Sequence, residues 1–160
     1  MESRKLKKTN AIRIIETFGI PYSIQFYDVD EDDLSGISVA EKIGMNPDSV
    51  FKTLVASGDA GNIFVFSTPV TVELNLKKAA LVSGNKKIEM IRVKDLLQVT
   101  GYIRGGCSPI GMKKKYPFYI DQTAELFDKI SVSAGARGMQ VILCPEDLLR
   151  ITGGITADIV

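Results

Sequence analysis

Residues 51–68 read FKTLVASGDAGNIFVFST, two apolar segments with a short polar turn between them. The first segment, Phe51–Ser57, and the second, residues 63–68, are rich in the β-branched and aromatic residues that favour strands. The glycine, aspartate and asparagine between them favour a tight turn, so the stretch predicts a β-hairpin. Because the first strand is apolar on both faces apart from Lys52 and Thr53, we expect other elements to cover it on both sides.

Lys52 is the one cation within this apolar strand. Either it lies near the strand end with its head group in water, or its head group ends in a polar pocket. In a pocket, a lysine serves as a base, or it stays charged and holds an anion or a carbonyl oxygen. The sequence around Lys52 is compatible with both readings.

Other elements follow from periodicity and from capping residues. Helices are predicted over residues 9–18, from a capping box at 38–41 to Gly44, over 75–83, over 92–99, briefly over 122–127, and after Pro145. Further strands are predicted over residues 22–27, 87–91, 116–121, 130–134 and 139–144. Helices and strands interleave without a repeat or a linker, which predicts a single α/β domain over residues 1–160 with a mixed, curved sheet.

The composition is that of an ordinary globular domain, with 160 residues, 45% hydrophobic and 24% charged. A net charge of +1 gives no overall attraction to nucleic acid, so any anion site must be local. No apolar segment is long enough to span a bilayer, and the cationic N-terminus lacks the apolar segment of a signal peptide. We therefore expect a cytoplasmic protein without a membrane partner.

The chain contains no histidine, which excludes Ser-His-Asp and Cys-His catalysis within it. The two cysteines, Cys107 and Cys144, lack C-x-x-C spacing and would supply only half of a thiolate zinc site. We expect reduced thiols, no metal and no disulfide framework. Any chemistry must come from lysine, carboxylates, hydroxyls, backbone amides or the substrate itself.

Two glycine-rich segments are candidates for binding. Residues 101–114 read GYIRGGCSPIGMKK, which indicates either a structural turn or a binding loop for an anionic ligand. Residues 133–138 read SAGARG, and this turn either closes a hairpin or holds a carbonyl or hydroxyl group. Cys107 in the first segment has no histidine to activate it, so we interpret it as a packed apolar side chain. Tyr27, at the end of a predicted strand, is either a half-buried aromatic residue or a phenol at a pocket rim.

Seven stretches in order resemble the YbaK/EbsC family, the free-standing relatives of the prolyl-tRNA synthetase editing domain. They are TNA at 9–11, VFKTL at 50–54, LKKA at 76–79, KKIEM at 86–90, TGY and GGCSPIG between 100 and 111, YID at 119–121, and SAG with RG between 133 and 138. The resemblance covers nearly the whole chain. The branch it resembles most is that of the Cys-tRNA(Pro) deacylases.

The resemblance implies a mixed, β-barrel-like core surrounded by helices and the editing of misacylated tRNA without a cofactor or a metal. It implies a catalytic role for Lys52 and a place in the pocket for Tyr27, Gly105 and Ser133. We expect the backbone amides near Gly105 and Gly106 to hold the substrate carbonyl. The Cys-specific branch implies attack by the substrate's own thiol on the aminoacyl ester, which releases a thiolactone.

Two positions depart from the Cys-specific pattern. Ser35 stands where that branch has a pocket phenylalanine, and Gln140 stands where it has an aspartate. Loss of the aromatic side chain would widen the pocket, and loss of the carboxylate would remove a contact to the substrate's amino group. Two alternatives follow: a relative that uses water to hydrolyse Ala- or Ser-tRNA, and a non-catalytic module that binds tRNA or a synthetase.

The expected partners are misacylated tRNA and prolyl-tRNA synthetase, as the resemblance implies. The surface cations Lys113, Lys114 and Arg137 are the candidates for contact with the tRNA backbone. With a weak net charge, we expect binding of free tRNA to be loose and sensitive to salt.

Overall fold

The computed structural model describes residues 8–160 as five α-helices, two 3₁₀-helices and eight strands. The α-helices are α1 (Asn10–Phe18), α2 (Gly36–Ile43), α3 (Leu76–Ser83), α4 (Val93–Thr100) and α5 (Pro145–Thr152), and the 3₁₀-helices are Pro47–Ser49 and Gln122–Leu126. The strands are β1 (Ser23–Phe26), β2 (Phe51–Ser57), β3 (Ile63–Pro69), β4 (Glu89–Met90), β5 (Phe118–Asp121), β6 (Ile130–Ser133), β7 (Met139–Leu143) and β8 (Ile155–Ala157). No helix within residues 8–160 is both long and apolar enough to cross a membrane.

The strands form two sheets. The larger has the order β4-β2-β3-β5-β8, with an antiparallel β2–β3 hairpin and parallel β3–β5 and β5–β8 pairs. The smaller is the antiparallel sheet β1-β7-β6. A single parallel bridge between Val50 and Ser131 joins them. The predicted mixed α/β domain and its hairpin are confirmed, but the one curved, barrel-like sheet is corrected to two sheets that meet near the start of β2.

Helix α2 begins earlier than predicted. Its N-cap is Ser35, whose hydroxyl accepts a hydrogen bond from the Ser38 amide at 3.3 Å. Ser38, the predicted cap, therefore lies inside the first turn. Strand β8 was not predicted, because three residues after a helix give too short a pattern.

The hairpin is covered on both faces, as its sequence predicted. Because side chains alternate along a strand, Val65 and Phe66 face opposite sides of the sheet. Phe66 is fully buried against Ala79 and Ala80 of α3. Val65 belongs to the main core with the α1, β6 and β7 side chains. The hairpin that carries Lys52 is thus packed against core side chains on both of its faces.

The long glycine-rich segment, which we call the glycine loop (residues 101–114), is closed by a buried tyrosine. The Tyr102 hydroxyl donates to the Ile110 carbonyl at 2.6 Å. Burial raises the pKa of Tyr102 to about 12, so the phenol keeps its proton and remains a donor. A Cβ at Gly111 would lie 2.9 Å from that hydroxyl, and a Cβ at Gly135 would lie 2.9 Å from the ring. Both glycines have positive φ, so conformation and space each favour glycine there.

The start of α1 connects the two glycine-rich segments. Thr9 caps the helix by accepting from the Ile12 amide, and its hydroxyl donates to the Ala134 carbonyl. The neighbouring Asn10 side-chain amide donates to the Gly111 carbonyl at 2.8 Å. Two consecutive side chains therefore hold the glycine loop and the β6–β7 turn in one arrangement.

We predict that Tyr102→Phe lowers the free energy of unfolding by about 1–3 kcal/mol, because the buried Ile110 carbonyl loses its donor. Urea denaturation at pH 7 measures the change. Tyr119→Phe is the matched control, since the Tyr119 hydroxyl has no hydrogen-bond partner within residues 8–160 and its ring stacks on Phe66. Equal stability losses in the two variants would show that the Tyr102 bond does not hold the loop.

Candidate functional site

A pocket of about 520 Å³ lies beside the start of β2. Its walls come from β2, the N-terminal part of α2, the glycine loop and the β6–β7 pair. Five of the residues predicted to form the site line it, namely Ser35, Lys52, Gly105, Ser133 and Gln140. Residues separated by more than 100 positions in the chain thus meet in one cavity.

Lys52 is half-buried on β2, directly opposite Thr68 on β3. Within residues 8–160, no carboxylate lies within ion-pair distance of its ammonium group. A cation that lines a pocket and forms no ion pair with the described residues favours an anionic or carbonyl ligand there. Sequence alone left Lys52 either in water at the strand end or in a polar pocket, and in the structure the residue lines the pocket.

Thr68 has an unusual hydroxyl. The residue is fully buried, and its Oγ1 is the one buried side-chain oxygen or nitrogen among the described residues that lacks a hydrogen-bond partner. The adjacent cross-strand pair, Thr53 and Ser67, is satisfied by a 3.0 Å bond between the two hydroxyls. An unpaired buried hydroxyl costs stability, and this one lies on the strand position opposite Lys52.

Ser133 and Gln140 are a directly opposed pair on β6 and β7 and share one face of the smaller sheet. The Ser133 hydroxyl accepts from the Gly135 amide at 3.2 Å. The Gln140 side-chain oxygen accepts from the Ser131 hydroxyl at 2.7 Å. Both residues are buried, so these bonds orient the polar groups at this end of the pocket.

The α2 wall begins at Ser35 and Gly36. Since the Ser35 hydroxyl caps the helix, it has a structural partner and does not fill the pocket as an aromatic ring would. A Cβ at Gly36 would lie 2.1 Å from Val70 Cγ1, so only glycine lets the helix start this close to the end of the hairpin.

Gly105 and Gly106 differ in what they do. Gly105 lines the pocket with φ at 83°, and within residues 8–160 its amide has no hydrogen-bond acceptor. The Gly106 amide donates to the Ile103 carbonyl at 2.9 Å, so it is not available for the substrate carbonyl. A Cβ at Gly106 would lie 2.9 Å from the backbone nitrogen of Arg137, so a glycine here allows the glycine loop to contact the β6–β7 turn. Of the two amides expected to hold the substrate carbonyl, only that of Gly105 stays a candidate.

The remaining predicted residues do not line the pocket. Tyr27 is half-buried at the end of β1, where its amide donates to the Gly138 carbonyl at 3.0 Å. Arg137 donates from Nε to the Arg104 carbonyl at 2.8 Å and so fastens the glycine loop to the β6–β7 turn. Lys113 is exposed, and Lys114 lines a separate pocket of about 210 Å³ next to α5.

Three polar residues that the sequence did not indicate as site residues also line the pocket, namely Thr53, Glu73 and Arg104. Thr53 follows Lys52 and Arg104 precedes Gly105, so proximity to those residues could have indicated them. Glu73 follows the hairpin in a segment without a motif, and only the folded chain brings it to the pocket. Cys107, interpreted from the sequence as a packed side chain, lines the pocket as well.

Comparison with known proteins identifies the fold and the family. The model of the aminoacyl-tRNA editing domain matches residues 35–151, which include α2, the hairpin, the glycine loop and the β6–β7 turn. The chain belongs to the aminoacyl-tRNA editing domain family. The resemblance noted in the sequence is thereby confirmed.

Two bacterial proteins are similar to this chain in sequence. The chain is 50% identical over 153 residues to the "Putative Cys-tRNA(Pro)/Cys-tRNA(Cys) deacylase EbsC" of Enterococcus faecalis, covering 96% of this chain and 93% of that one. It is 26% identical over 124 residues to YwhH of Bacillus subtilis, covering 76% and 78%. A solved "putative trans-editing enzyme for prolyl tRNA synthetase" superposes with a TM-score of 0.82 at 21% identity, covering 98% of both chains. That superposition shows a shared fold.

We predict that Cys107 in the editing-domain pocket reacts slowly with alkylating agents. Burial raises the pKa of its thiol to about 11, which leaves about 0.1% thiolate at pH 8. In Cys144→Ser, which retains only Cys107, iodoacetamide should react on the order of a hundred times more slowly than with free cysteine. The half-buried Cys144, retained in Cys107→Ser, provides the comparison. Rapid labelling of Cys107 would make it a candidate nucleophile after all.

We predict opposite stability changes for two threonines of the hairpin. Thr68→Val removes an unpaired buried hydroxyl and should raise the free energy of unfolding by about 1 kcal/mol. Thr53→Val removes the partner of the buried Ser67 hydroxyl and should lower it by about 1 kcal/mol. Urea denaturation of both variants measures the two changes. A loss of stability in Thr68→Val would mean that its hydroxyl is satisfied in solution.

Proposed function

We propose that the protein is an aminoacyl-tRNA deacylase that edits misacylated tRNA in trans and acts on Cys-tRNA(Pro). The observation that carries the proposal is the pocket itself, which places the Lys52 ammonium group and the Gly105 turn around one cavity. Membership of the editing-domain family and the name of the 50% identical EbsC support the reaction and the substrate. The absence of histidine agrees with a reaction in which the protein supplies no nucleophile.

The reaction we propose uses the thiol of the cysteinyl substrate. Its sulfur attacks the ester carbonyl carbon, a carbon–sulfur bond forms, and the bond to the ribose oxygen breaks. The thiol proton ends on that oxygen, so the products are a thiolactone and tRNA with a free terminal hydroxyl. Because both reacting groups belong to one residue, the pocket contributes mainly by holding a folded conformation of the substrate.

Two groups of the protein have roles in this step. The Gly105 amide, which has no acceptor within the described part of the chain, stabilises the negative charge that develops on the carbonyl oxygen. Lys52 orients the terminal ribose and phosphate through its charge. Cys107 stays a protonated wall residue, since burial raises its pKa to about 11.

A water-using deacylase for Ala- or Ser-tRNA is the second candidate. It is favoured by Ser35 itself, since a small side chain that caps the helix lines the pocket there in place of an aromatic ring. Extra space beside a small aminoacyl group would admit water as the nucleophile. The neutral Gln140 at the opposite wall is compatible with either substrate class.

Binding of the tRNA body is proposed to involve surface cations and prolyl-tRNA synthetase. Lys113 and Lys114 are exposed at the end of the glycine loop, and Arg137 lies at the contact between this loop and the β6–β7 turn. Three cations on a domain of net charge +1 would give weak binding that falls steeply with salt. A synthetase that presents the tRNA would compensate for this weak affinity.

We predict that the wild-type protein deacylates Cys-tRNA(Pro) and that Lys52→Ala loses at least about a hundredfold in kcat/KM, as for removal of a charged group that contacts the reacting substrate. Parallel reactions with Ala-tRNA(Pro) and Ser-tRNA(Pro) separate the two candidates, because a substrate without a thiol cannot cyclise. Lys87→Ala is the control, since this exposed lysine pairs with Glu89 and does not line the pocket. Absence of turnover on all three substrates would favour the non-catalytic binding module.

A further inference from the structure

The pocket is lined by more positively charged than negatively charged side chains. Its lining includes two cations, Lys52 and Arg104, and a single acidic residue, Glu73. An aminoacyl ester has lost its carboxylate to the ester bond, so the α-ammonium group is the charge that remains on its amino acid. A pocket that accepts such a group needs an acceptor for it, placed away from the cations.

Gln140 meets this requirement less well than a carboxylate does. Its side-chain oxygen already accepts the Ser131 hydroxyl at 2.7 Å, so one of its two lone pairs is used. The acceptor that remains is uncharged, and a hydrogen bond from an ammonium group to a carboxylate is stronger than one to a neutral amide. The Ser133 hydroxyl can accept, but it carries no charge and already receives the Gly135 amide.

Glu73 is available for this role. Within residues 8–160, four other carboxylates have a lysine or arginine partner at 2.9–3.1 Å, namely Glu16, Glu89, Asp95 and Asp158. Glu73 has no such partner in the same part of the chain, although it lines a pocket that contains two cations. Its carboxylate is therefore exposed at the pocket wall, without an ion-pair partner among the described residues.

The backbone around Glu73 is held on both sides. Thr71 donates from its hydroxyl to the Asp48 carboxylate at 2.8 Å, and the Val72 amide donates to the Pro69 carbonyl at 3.2 Å. After it, the Asn75 amide donates to the Ile159 carbonyl at 2.8 Å, and the Asn75 side chain caps α3. The segment 71–75 is therefore fixed at both ends, and Glu73 is its one charged residue.

On the basis of the deacylase function proposed above, we propose that the Glu73 carboxylate binds the α-ammonium group of the aminoacyl ester and thereby selects substrates with a free amino group. The ammonium group lies at the Glu73 side of the pocket, and the ester and ribose face Lys52 and Gly105. A blocked amino group carries no charge and loses this contact. Peptidyl and N-acylated esters are thus excluded by the same residue.

The test compares cysteinyl-tRNA with N-acetylcysteinyl-tRNA in the wild type and in Glu73→Gln. We expect Glu73→Gln to lose about tenfold in kcat/KM on the free-amine substrate, mainly through KM, as for one charge-assisted hydrogen bond. Its activity on the acetylated substrate should not change, so the preference for the free amine falls toward one. Glu73→Asp, which keeps the charge, should retain part of the preference.

The control is Glu146→Gln, which neutralises an exposed glutamate on α5 outside the pocket and should keep the wild-type preference. Two results would overturn the role of Glu73 and leave the deacylase function intact. They are an unchanged preference for the free amine in Glu73→Gln, and equal losses of kcat/KM on both substrates. If the wild type releases neither cysteine, alanine nor serine from tRNA, the deacylase function fails and the role of Glu73 fails with it.

Discussion

The bond from the Tyr102 hydroxyl to the Ile110 carbonyl is the contact on which the site depends most. It closes the glycine loop over a buried ring, and the ring in turn determines which residues fit around it. Gly111 and Gly135 belong to different segments, yet both lack a side chain where the ring passes. Thr9 and Asn10 bond the same two segments, so the start of α1 also helps to position the glycine loop that contains Gly105.

The second constraint is the position of β2. This strand pairs with β3 along its length, with β4 at its end, and reaches the smaller sheet through the bridge from Val50 to Ser131. The pocket forms where the sheets meet, so Lys52 on one sheet faces Ser133 and Gln140 on the other.

Much of the fold was predictable because local patterns were strong. Short stretches of sequence are enough to predict the hairpin, the N-cap of α1 and the glycine that ends each α-helix. The start of α2 was predicted wrongly because Ser35 and Ser38 are both able to cap, and the close contact of Gly36 with Val70 decides between them. The division into two sheets depends on pairing between strands far apart in the chain, which periodicity does not contain.

The site was predictable to the extent that it lies in glycine-rich turns and at a lysine within an apolar strand. Glu73 was missed because nothing in its neighbourhood marks it, and its place at the pocket comes from the turn after β3. Gly106 was assigned the function of its neighbour because two adjacent glycines look alike in a sequence. Their difference is the acceptor at Ile103, a contact that exists only in the folded loop.

Helix α2 buries few side chains, and this affects which substitutions the pocket can tolerate. Of the residues in this helix, only Ala40 is fully buried, and the side chains that reach the pocket belong to its first turn and to Leu34 before it. Substitutions there remove little buried apolar area, so their cost in folding is small. The pocket wall formed by α2 can therefore change its side chains at little cost to folding, whereas β2 is paired with β3 along its length and leaves less room for substitution near Lys52.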